Sequence, residues 1–133
     1  MICIIRISGD VKIREEFRET LRRLGLTRKF SCIVLEKPTE IELGMLKHVK
    51  DFVAYGELDD ATYKKLVEAR GHKNKKPLTN LKFKKDFREV FRLHPARGGM
   101  NTKQHYSLEN GNIKRGVLGN HGKKINELVE KML

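Results

Sequence analysis

The 133-residue chain has only two cysteines and no apolar run long enough to cross a membrane. Cys3 and Cys32 are far apart, and each lies in a short apolar run, which is typical of buried, reduced thiols; a disulfide or a metal site is the alternative. The N-terminal run of residues 2–5 is interrupted by Arg6, so it is too short for the core of a signal peptide. These shortages predict a soluble protein of the cytoplasm.

Acidic residues are scarce in one part of the chain. Residues 70–103 contain eleven Lys and Arg against two Asp and Glu, a net charge of +9, whereas residues 1–69 carry +1 and residues 104–133 carry +2. The whole chain carries +12. Most of the excess positive charge therefore lies in about a quarter of the chain, which favours a polyanion such as RNA as the partner of that segment.

The first 58 residues have the pattern of a small α+β module. Apolar, largely β-branched runs predict strands over residues 1–7, 30–35 and 51–58. Apolar stripes at helical spacing predict two helices between those strands. The order is β-α-β-α-β, so we expect the two helices to cover one face of a small sheet.

Capping residues set the expected helix limits. We expect Asp10 to cap a helix over residues 11–24 that Gly25 ends, and Thr39 and Glu42 to form a capping box at the start of the second helix. Gly44 lies inside that helix, where glycine is costly. We interpret it as a close approach by another helix or strand, with direct ligand contact as the alternative.

Residues 59–133 are expected to form a basic RNA-binding extension that packs on the module of residues 1–58 as one domain. Asp59 should cap a third helix that ends at Arg70. Residues 109–112 read as a hairpin turn between two weak strands, and Asn120 can cap a last helix. That helix has an apolar face, so we expect it to dock on the module.

Residues 91–100 form a basic loop that contains glycine. The pair His94-Pro95 interrupts regular structure, and two glycines allow positive φ or close approach to another surface. Phe91 and Leu93 are expected to anchor the loop. The expected RNA contacts are Arg92, His94, Arg97, Gly98 and Gly99.

Two further sets of cations are candidates for phosphate contact. The first lies in the basic segment and comprises Lys73, Lys75, Lys76, Lys82, Lys84, Lys85 and Lys103. Phe83, Phe87 and Phe91 repeat there at helical spacing, which favours anchoring over base stacking. The second set is Arg14 and Arg18 in the first helix, where interleaved glutamates make a solvated face an equal alternative.

An enzyme is the competing class. His94, His105 and His121 could supply acid and base for phosphodiester cleavage. However, no carboxylate accompanies them at a diagnostic spacing, so we expect neither enzymatic activity nor a cofactor.

Several unusual segments, taken in order, resemble one family. They are Gly44-Met45-Leu46, residues 49–53, Tyr55-Gly56-Glu57, the basic turn of residues 74–79, residues 91–100 and the closing helix of residues 125–133. In these segments the chain resembles the archaeal and eukaryotic type of the large-subunit ribosomal protein L-thirty family, which has bacterial L-thirty and eukaryotic L-seven relatives. The family commonly carries additional helical sequence where this chain has only residues 80–90.

The resemblance implies a ferredoxin-like core and a structural role in the large ribosomal subunit. The implied partners are large-subunit rRNA and neighbouring large-subunit ribosomal proteins, with no membrane and no small-molecule substrate. RNA shape, more than base sequence, would then be recognised. A free-standing RNA-binding or RNA-folding protein outside the ribosome is the alternative.

Overall fold

The computed structural model describes residues 1–71, 90–109 and 112–133, and the side chains of all of these except residues 107–109 and 112–115. The strands are β1 (Ile2–Arg6), β2 (Ser31–Leu35), β3 (Val53–Glu57), β4 (Val90–Arg92), β5 (Asn101–Glu109) and β6 (Asn112–Asn120). The helices are α1 (Glu15–Arg23), α2 (Glu40–His48), α3 (Asp60–Arg70) and α4 (Ile125–Met132), and a 3₁₀ turn at Gly122–Lys124 leads into α4.

The six strands form one sheet in the order β4-β2-β1-β3-β6-β5. β1 is antiparallel to both of its neighbours, and Ile4 lies opposite Ile33 of β2 and Tyr55 of β3. β4 adds to β2 in antiparallel direction, and β6 adds to β3 in parallel direction. The predicted α+β fold with a ferredoxin-like β-α-β-α-β core is confirmed.

Alternate side chains of the central strands enter two separate cores, because successive residues of a strand point to opposite faces. Ile4 and Ile33 pack on one face with residues of α1 and α2 such as Leu21 and Leu46, so the two core helices do cover one face. The other face carries Ile5 and is covered by α3 and α4.

The C-terminal helix contributes three fully buried side chains to the second core, Ile125, Val129 and Met132. Burial of each such side chain is worth roughly 1.5–3 kcal/mol relative to exposure. α4 also runs beside α3, and the Lys65 ammonium lies 2.6 Å from the Glu130 carboxylate between them. The helix is therefore firmly docked on the sheet.

Two of the expected helix limits are as predicted. Gly25 follows α1 with a φ of +84°. At α2 the capping box is complete, since the Thr39 hydroxyl accepts from the Glu42 N–H at 3.3 Å and the Glu42 carboxylate accepts from the Thr39 N–H at 2.8 Å. Local sequence was sufficient in both places because each motif is satisfied within four residues.

The expected cap at Asp10 is wrong. α1 begins at Glu15 with Arg14 at the N-cap position, and Lys12 has a φ of +61° in the turn before it. The Asp10 carboxylate instead accepts from Nη2 of Arg6, whose side chain is 2% exposed. A buried guanidinium needs a counter-charge, and this demand takes precedence over the cap.

Three more sequence expectations are refined by the structure. Asp59 precedes α3 but makes no side-chain cap; its own N–H donates to Asn126 Oδ1 at 3.0 Å. Asn120 accepts from the Gly122 N–H at 2.9 Å, and the 3₁₀ turn then delays the start of α4. Phe91 lies in β4 and not in a helix, whereas Phe83 and Phe87 lie outside the described residues.

The hairpin expected around residues 109–112 is present, with Glu109 opposite Asn112. Its two strands have nine residues each and are therefore longer than the weak strands that the sequence indicates.

Gly44 does not mark an internal close contact, which corrects the interpretation from sequence. A Cβ built there would meet no atom of a described residue within 4 Å. At Gly56 the situation is the opposite, because a Cβ would lie 2.3 Å from the Gly122 carbonyl oxygen and 2.9 Å from Ile125 Cβ.

These two glycines give a matched pair of variants. Gly44→Ala should raise the free energy of unfolding by about 0.5–1 kcal/mol, because alanine loses less entropy in a helix. Gly56→Ala should lower it by about 1–3 kcal/mol through overpacking against backbone. Urea unfolding of both variants tests this, and a loss of stability for Gly44→Ala comparable with that for Gly56→Ala would contradict it.

Candidate nucleic-acid interface

The strand register brings basic segments that are distant in sequence to one end of the sheet. Arg6, the last residue of β1, lies opposite Val53, the first residue of β3. Ser31, the first residue of β2, lies opposite Arg92, the last residue of β4. Because Ile5 lies opposite Cys32, Arg6 and Ser31 are at the same level. We call this the basic end; it carries the chain segments of residues 7–14, 24–30, 49–52 and 93–100.

The β5-β6 hairpin extends from the same end. β6 runs parallel to β3 and pairs with it at Gly119 and Asn120, opposite Ala54 and Tyr55 near the start of β3. The earlier residues of β6 therefore extend beyond the basic end. β5 starts after residues 93–100 and runs past this end, and His105 Nε2 lies 3.4 Å from the carboxylate of Asp51.

Backbone hydrogen bonds hold residues 91–100, the glycine loop, onto the end of α4. The His94 N–H donates to the Met132 carbonyl at 2.9 Å, and the Arg97 N–H donates to the Lys131 carbonyl at 2.9 Å. The last carbonyls of a helix have no partner within the helix, so the loop satisfies groups that would otherwise need water. Arg70 Nη2 donates to the Leu133 carbonyl beside them.

The glycine loop divides its side chains as the sequence predicts. Phe91 and Leu93 are buried in the core, with exposed fractions of 2% and 7%, whereas Arg92, His94 and Arg97 are exposed. The buried side chains and the hydrogen bonds to the end of α4 therefore fix the backbone of the glycine loop, and its polar side chains are exposed to solvent.

Gly98 and Gly99 have φ values of +85° and +81°, as expected from the sequence. A Cβ at either glycine would meet no atom of a described residue within 4 Å. They line an open groove of about 630 Å³ together with residues 100–103, including the exposed Lys103. A second polymer chain can therefore approach the backbone here without displacing a side chain.

Arg6 holds two further loops of the basic end together. Its Nε donates to the Ser8 carbonyl at 3.0 Å, and its Nη1 donates to the carbonyls of Leu26 and Thr27 at 2.8 and 2.9 Å. The guanidinium thus connects the segment before α1 to the segment after it. In the sequence, the single charge at the end of an apolar strand was a signal for such a buried partner.

The arginines of α1 lie next to this cluster. Arg14 is exposed directly before the helix, and Arg18 donates to the Glu15 carboxylate at 2.9 Å and to the Asp10 carbonyl at 3.4 Å. Arg28 and Lys29 are exposed in the segment before β2. Candidate residues Lys73, Lys75, Lys76, Lys82, Lys84 and Lys85 lie outside the described residues.

Known proteins of one family match this chain. The family described as ribosomal protein L30p/L7e matches residues 2–53. The large ribosomal subunit protein uL30 of Archaeoglobus fulgidus is 35% identical over 159 aligned positions, which cover 99% of each chain. The proteins of the same name from Methanocella arvoryzae and Methanococcus maripaludis are 33% and 34% identical, with at least 97% of every chain covered. This chain belongs to the L30p/L7e family.

The alignment of this chain with a relative contains many gaps on the side of this chain. The alignment with the A. fulgidus protein has 159 positions against 133 residues here, so at least 26 positions, the difference of the two, are gaps in this chain. This agrees with the additional sequence that the resemblance leads one to expect in other members.

The L30p/L7e family consists of structural ribosomal proteins, which confirms the expectation that the chain is not an enzyme.

His94 and His121, two of the histidines considered in the sequence, differ in their exposure to solvent. His94 is exposed, whereas His121 is buried, stacks on Tyr106 at 4.2 Å between ring centroids and has its Nε2 2.7 Å from the Val117 carbonyl oxygen. Burial lowers the pKa of His121, although the bond to Val117 opposes this. His121 is a packing residue.

Cys3 and Cys32 are buried free thiols, as expected, with 3.3 Å between their sulfurs. The hydrogen bond with Cys3, followed by burial, raises the pKa of Cys32. Within the described ranges, no three His, Cys, Asp or Glu side chains are grouped as metal ligands, and no helix is long and apolar enough to span a membrane.

The lowered pKa of His121 predicts a pH dependence of stability. The neutral imidazole is favoured in the folded protein, so its contribution is fully present above the unfolded pKa of about 6.5 and is lost as the pH falls through the folded pKa. The free energy of unfolding should therefore fall between pH 7.5 and pH 5, and His121→Gln should reduce that fall. The exposed control His94→Gln should not, and an unchanged pH dependence in His121→Gln would contradict the prediction.

Proposed function

We propose that this chain is a structural component of the large ribosomal subunit in the cytoplasm and that its basic end binds large-subunit rRNA. The observation that carries the proposal is the convergence of several cationic segments at the basic end, in a chain whose relatives are named for the large ribosomal subunit. Neighbouring large-subunit ribosomal proteins are its further partners.

The glycine loop makes the central contact in this proposal. The exposed guanidinium groups of Arg92 and Arg97 form no ion pair within the part of the chain that the structure describes, so they are available to phosphate. Guanidinium binds phosphate through two parallel N–H groups and replaces condensed counterions. The proposed contacts are Arg92, His94, Arg97, Gly98, Gly99 and Lys103, with Arg14 and Arg18 beside them.

The docked backbone explains why such a loop would recognise RNA shape. Hydrogen bonds to α4 and the buried Phe91 and Leu93 fix the loop before binding, which reduces the entropy lost on association. Phosphate contacts from a rigid surface select for the spacing of phosphates in folded RNA. The lysines of residues 73–85 are included on the basis of charge alone.

Charge reversal of the glycine loop tests the proposal. Arg92→Glu combined with Arg97→Glu should weaken binding to transcribed large-subunit rRNA at least tenfold, on the order of two lost phosphate contacts at 0.1 M salt. Because both side chains are exposed, the thermal midpoint should change little.

The matched control is Lys37→Glu combined with Lys64→Glu, since both lysines are exposed and lie in the segment after β2 and in α3, away from the basic end. It changes the net charge equally and should leave binding nearly intact. Equal loss of binding in both double variants would show that total charge, and not the basic end, is responsible. A large loss of thermal stability in the loop variant would show Arg92 and Arg97 to be structural.

The location of the protein in cells separates the ribosomal role from the free-standing alternative. Sucrose-gradient fractionation of extract at moderate salt should place the protein with the large subunits. Recovery in the light fractions alone would contradict the ribosomal role and support a free-standing RNA-binding or RNA-folding protein.

A further inference from the structure

A cavity of about 310 Å³ opens at the basic end, between the segment that precedes α1 and the segment that follows it. Its lining comprises Arg6, Asp10, Arg18, Arg22 and Thr27. We propose that this cavity, the arginine pocket, binds one backbone phosphate of rRNA, with Arg18 and Arg22 as its ligands and Arg6 as the positioning residue. The inference rests on the proposed function. It extends that function to the sheet face covered by α1 and α2, whereas Phe91 and Leu93 of the glycine loop are buried on the face covered by α3 and α4.

The floor of the arginine pocket is fixed before any ligand arrives. Arg6 is 2% exposed, and its guanidinium donates to Ser8, Leu26, Thr27 and Asp10. Four of its five N–H groups are thereby committed. Arg6 therefore acts by holding the two loops at a set distance, and its buried charge adds to the positive field in the pocket.

Backbone strain occurs in both of the loops that Arg6 connects. Lys12 and Phe30 are the two residues other than glycine with positive φ in the part of the chain that the structure describes, at +61° and +62°. Such conformations are strained and persist where surrounding contacts enforce them. The Phe30 N–H donates to the Arg6 carbonyl at 2.7 Å, so the strained loop is bonded directly to the end of β1, the strand that carries Arg6.

The two ligand arginines are held loosely enough to accept phosphate. Arg18 and Arg22 are 47% and 77% exposed, and their partners Glu15 and Glu19 are themselves 76% and 46% exposed. The Arg22–Glu19 contact is long, at 4.0 Å, and exposed pairs of this kind contribute little to stability. Each of these glutamates contacts its arginine through a single nitrogen, whereas a phosphate can accept two N–H groups of a guanidinium at once and so replace such a partner.

The carboxylates around the pocket weaken its positive field but do not outnumber the arginines of its lining. Asp10 lines the cavity and is occupied by Arg6, whereas Glu15 and Glu19 lie on α1 and are not part of the lining. The lining itself therefore has three arginines against one aspartate. This asymmetry favours an anion over a cation or a neutral ligand.

The α1 helix provides a control next to the proposed ligand. Arg22 and Arg23 are adjacent, are 77% and 69% exposed, and both contact Glu19, but only Arg22 lines the cavity. Arg22→Gln and Arg23→Gln remove the same charge from the same helix turn. A merely solvated arginine face would make the two variants equivalent.

The experiment measures binding of the full chain to transcribed large-subunit rRNA between 0.05 and 0.3 M salt, values chosen to span the range in which counterion release is seen. Arg22→Gln should lower the slope of log affinity against log salt by about 0.7–0.9, and weaken binding roughly fivefold to eightfold at 0.1 M salt. Arg18→Gln should do the same. Arg23→Gln should match the unchanged protein within about twofold.

Equal effects of Arg22→Gln and Arg23→Gln, or no effect of either, would overturn the arginine pocket. When the Arg22→Gln and Arg23→Gln variants bind equally, but the unchanged protein binds rRNA and the Arg92→Glu/Arg97→Glu variant does not, only the pocket is removed and the proposed function stands. Failure of the unchanged protein to bind rRNA removes both. Arg6→Lys keeps the charge but cannot reach four acceptors, so it should weaken binding as Arg22→Gln does; full binding by a folded Arg6→Lys would exclude its positioning role.

Discussion

The structure depends on β1 being paired on both edges and buried on both faces. Cys3, Ile4 and Ile5 are fully buried, and each has cross-strand neighbours in β2 and in β3. Because the side chains alternate, a shift of β1 by one residue would move Ile4 to the core of α3 and α4. Every other side chain of β1 would also move to the opposite face of the sheet. The register of the central strand is therefore strongly determined, and it sets the level at which all of the other strands end.

That level decides the arrangement of charge. With β1 fixed, Arg6 comes at the end of the strand, beside Ser31 of β2, and β4 adds Arg92 to the same row. The loops that leave this end carry the exposed Arg14, Arg28, Lys29 and Arg97. Loops packed on either core, that of α1 and α2 or that of α3 and α4, leave the sheet at the basic end. Loops from both cores can therefore contact one RNA surface.

Two features near this end combine rigidity with exposure. The glycine loop is held by the last carbonyls of α4, and the arginine pocket is held by the buried Arg6, yet both leave guanidinium groups in solvent. A surface of this kind suits a folded polyanion, since its charges keep their spacing without the partner. A flexible basic tail would instead lose entropy on binding.

Sequence alone was sufficient where the controlling contacts are local. The capping box of Thr39 and Glu42 and the positive φ of Gly98 are each satisfied within a few residues. Sequence reasoning failed at Asp10 and Gly44, because the first is recruited by a buried arginine and a Cβ on the second would meet no described atom within 4 Å outside its own helix backbone.

The sequence by itself determined the β-α-β-α-β order of residues 1–58, the concentration of positive charge and the family. The tertiary structure alone decided that Arg6, the α1 arginines and the glycine loop share one end, and that α4 supports that loop. These are contacts between residues 20 to more than 30 positions apart, for example Arg6 with Leu26 and His94 with Met132. Local periodicity carries no information about such pairs, because strand register and helix docking are set by the burial of both sheet faces together.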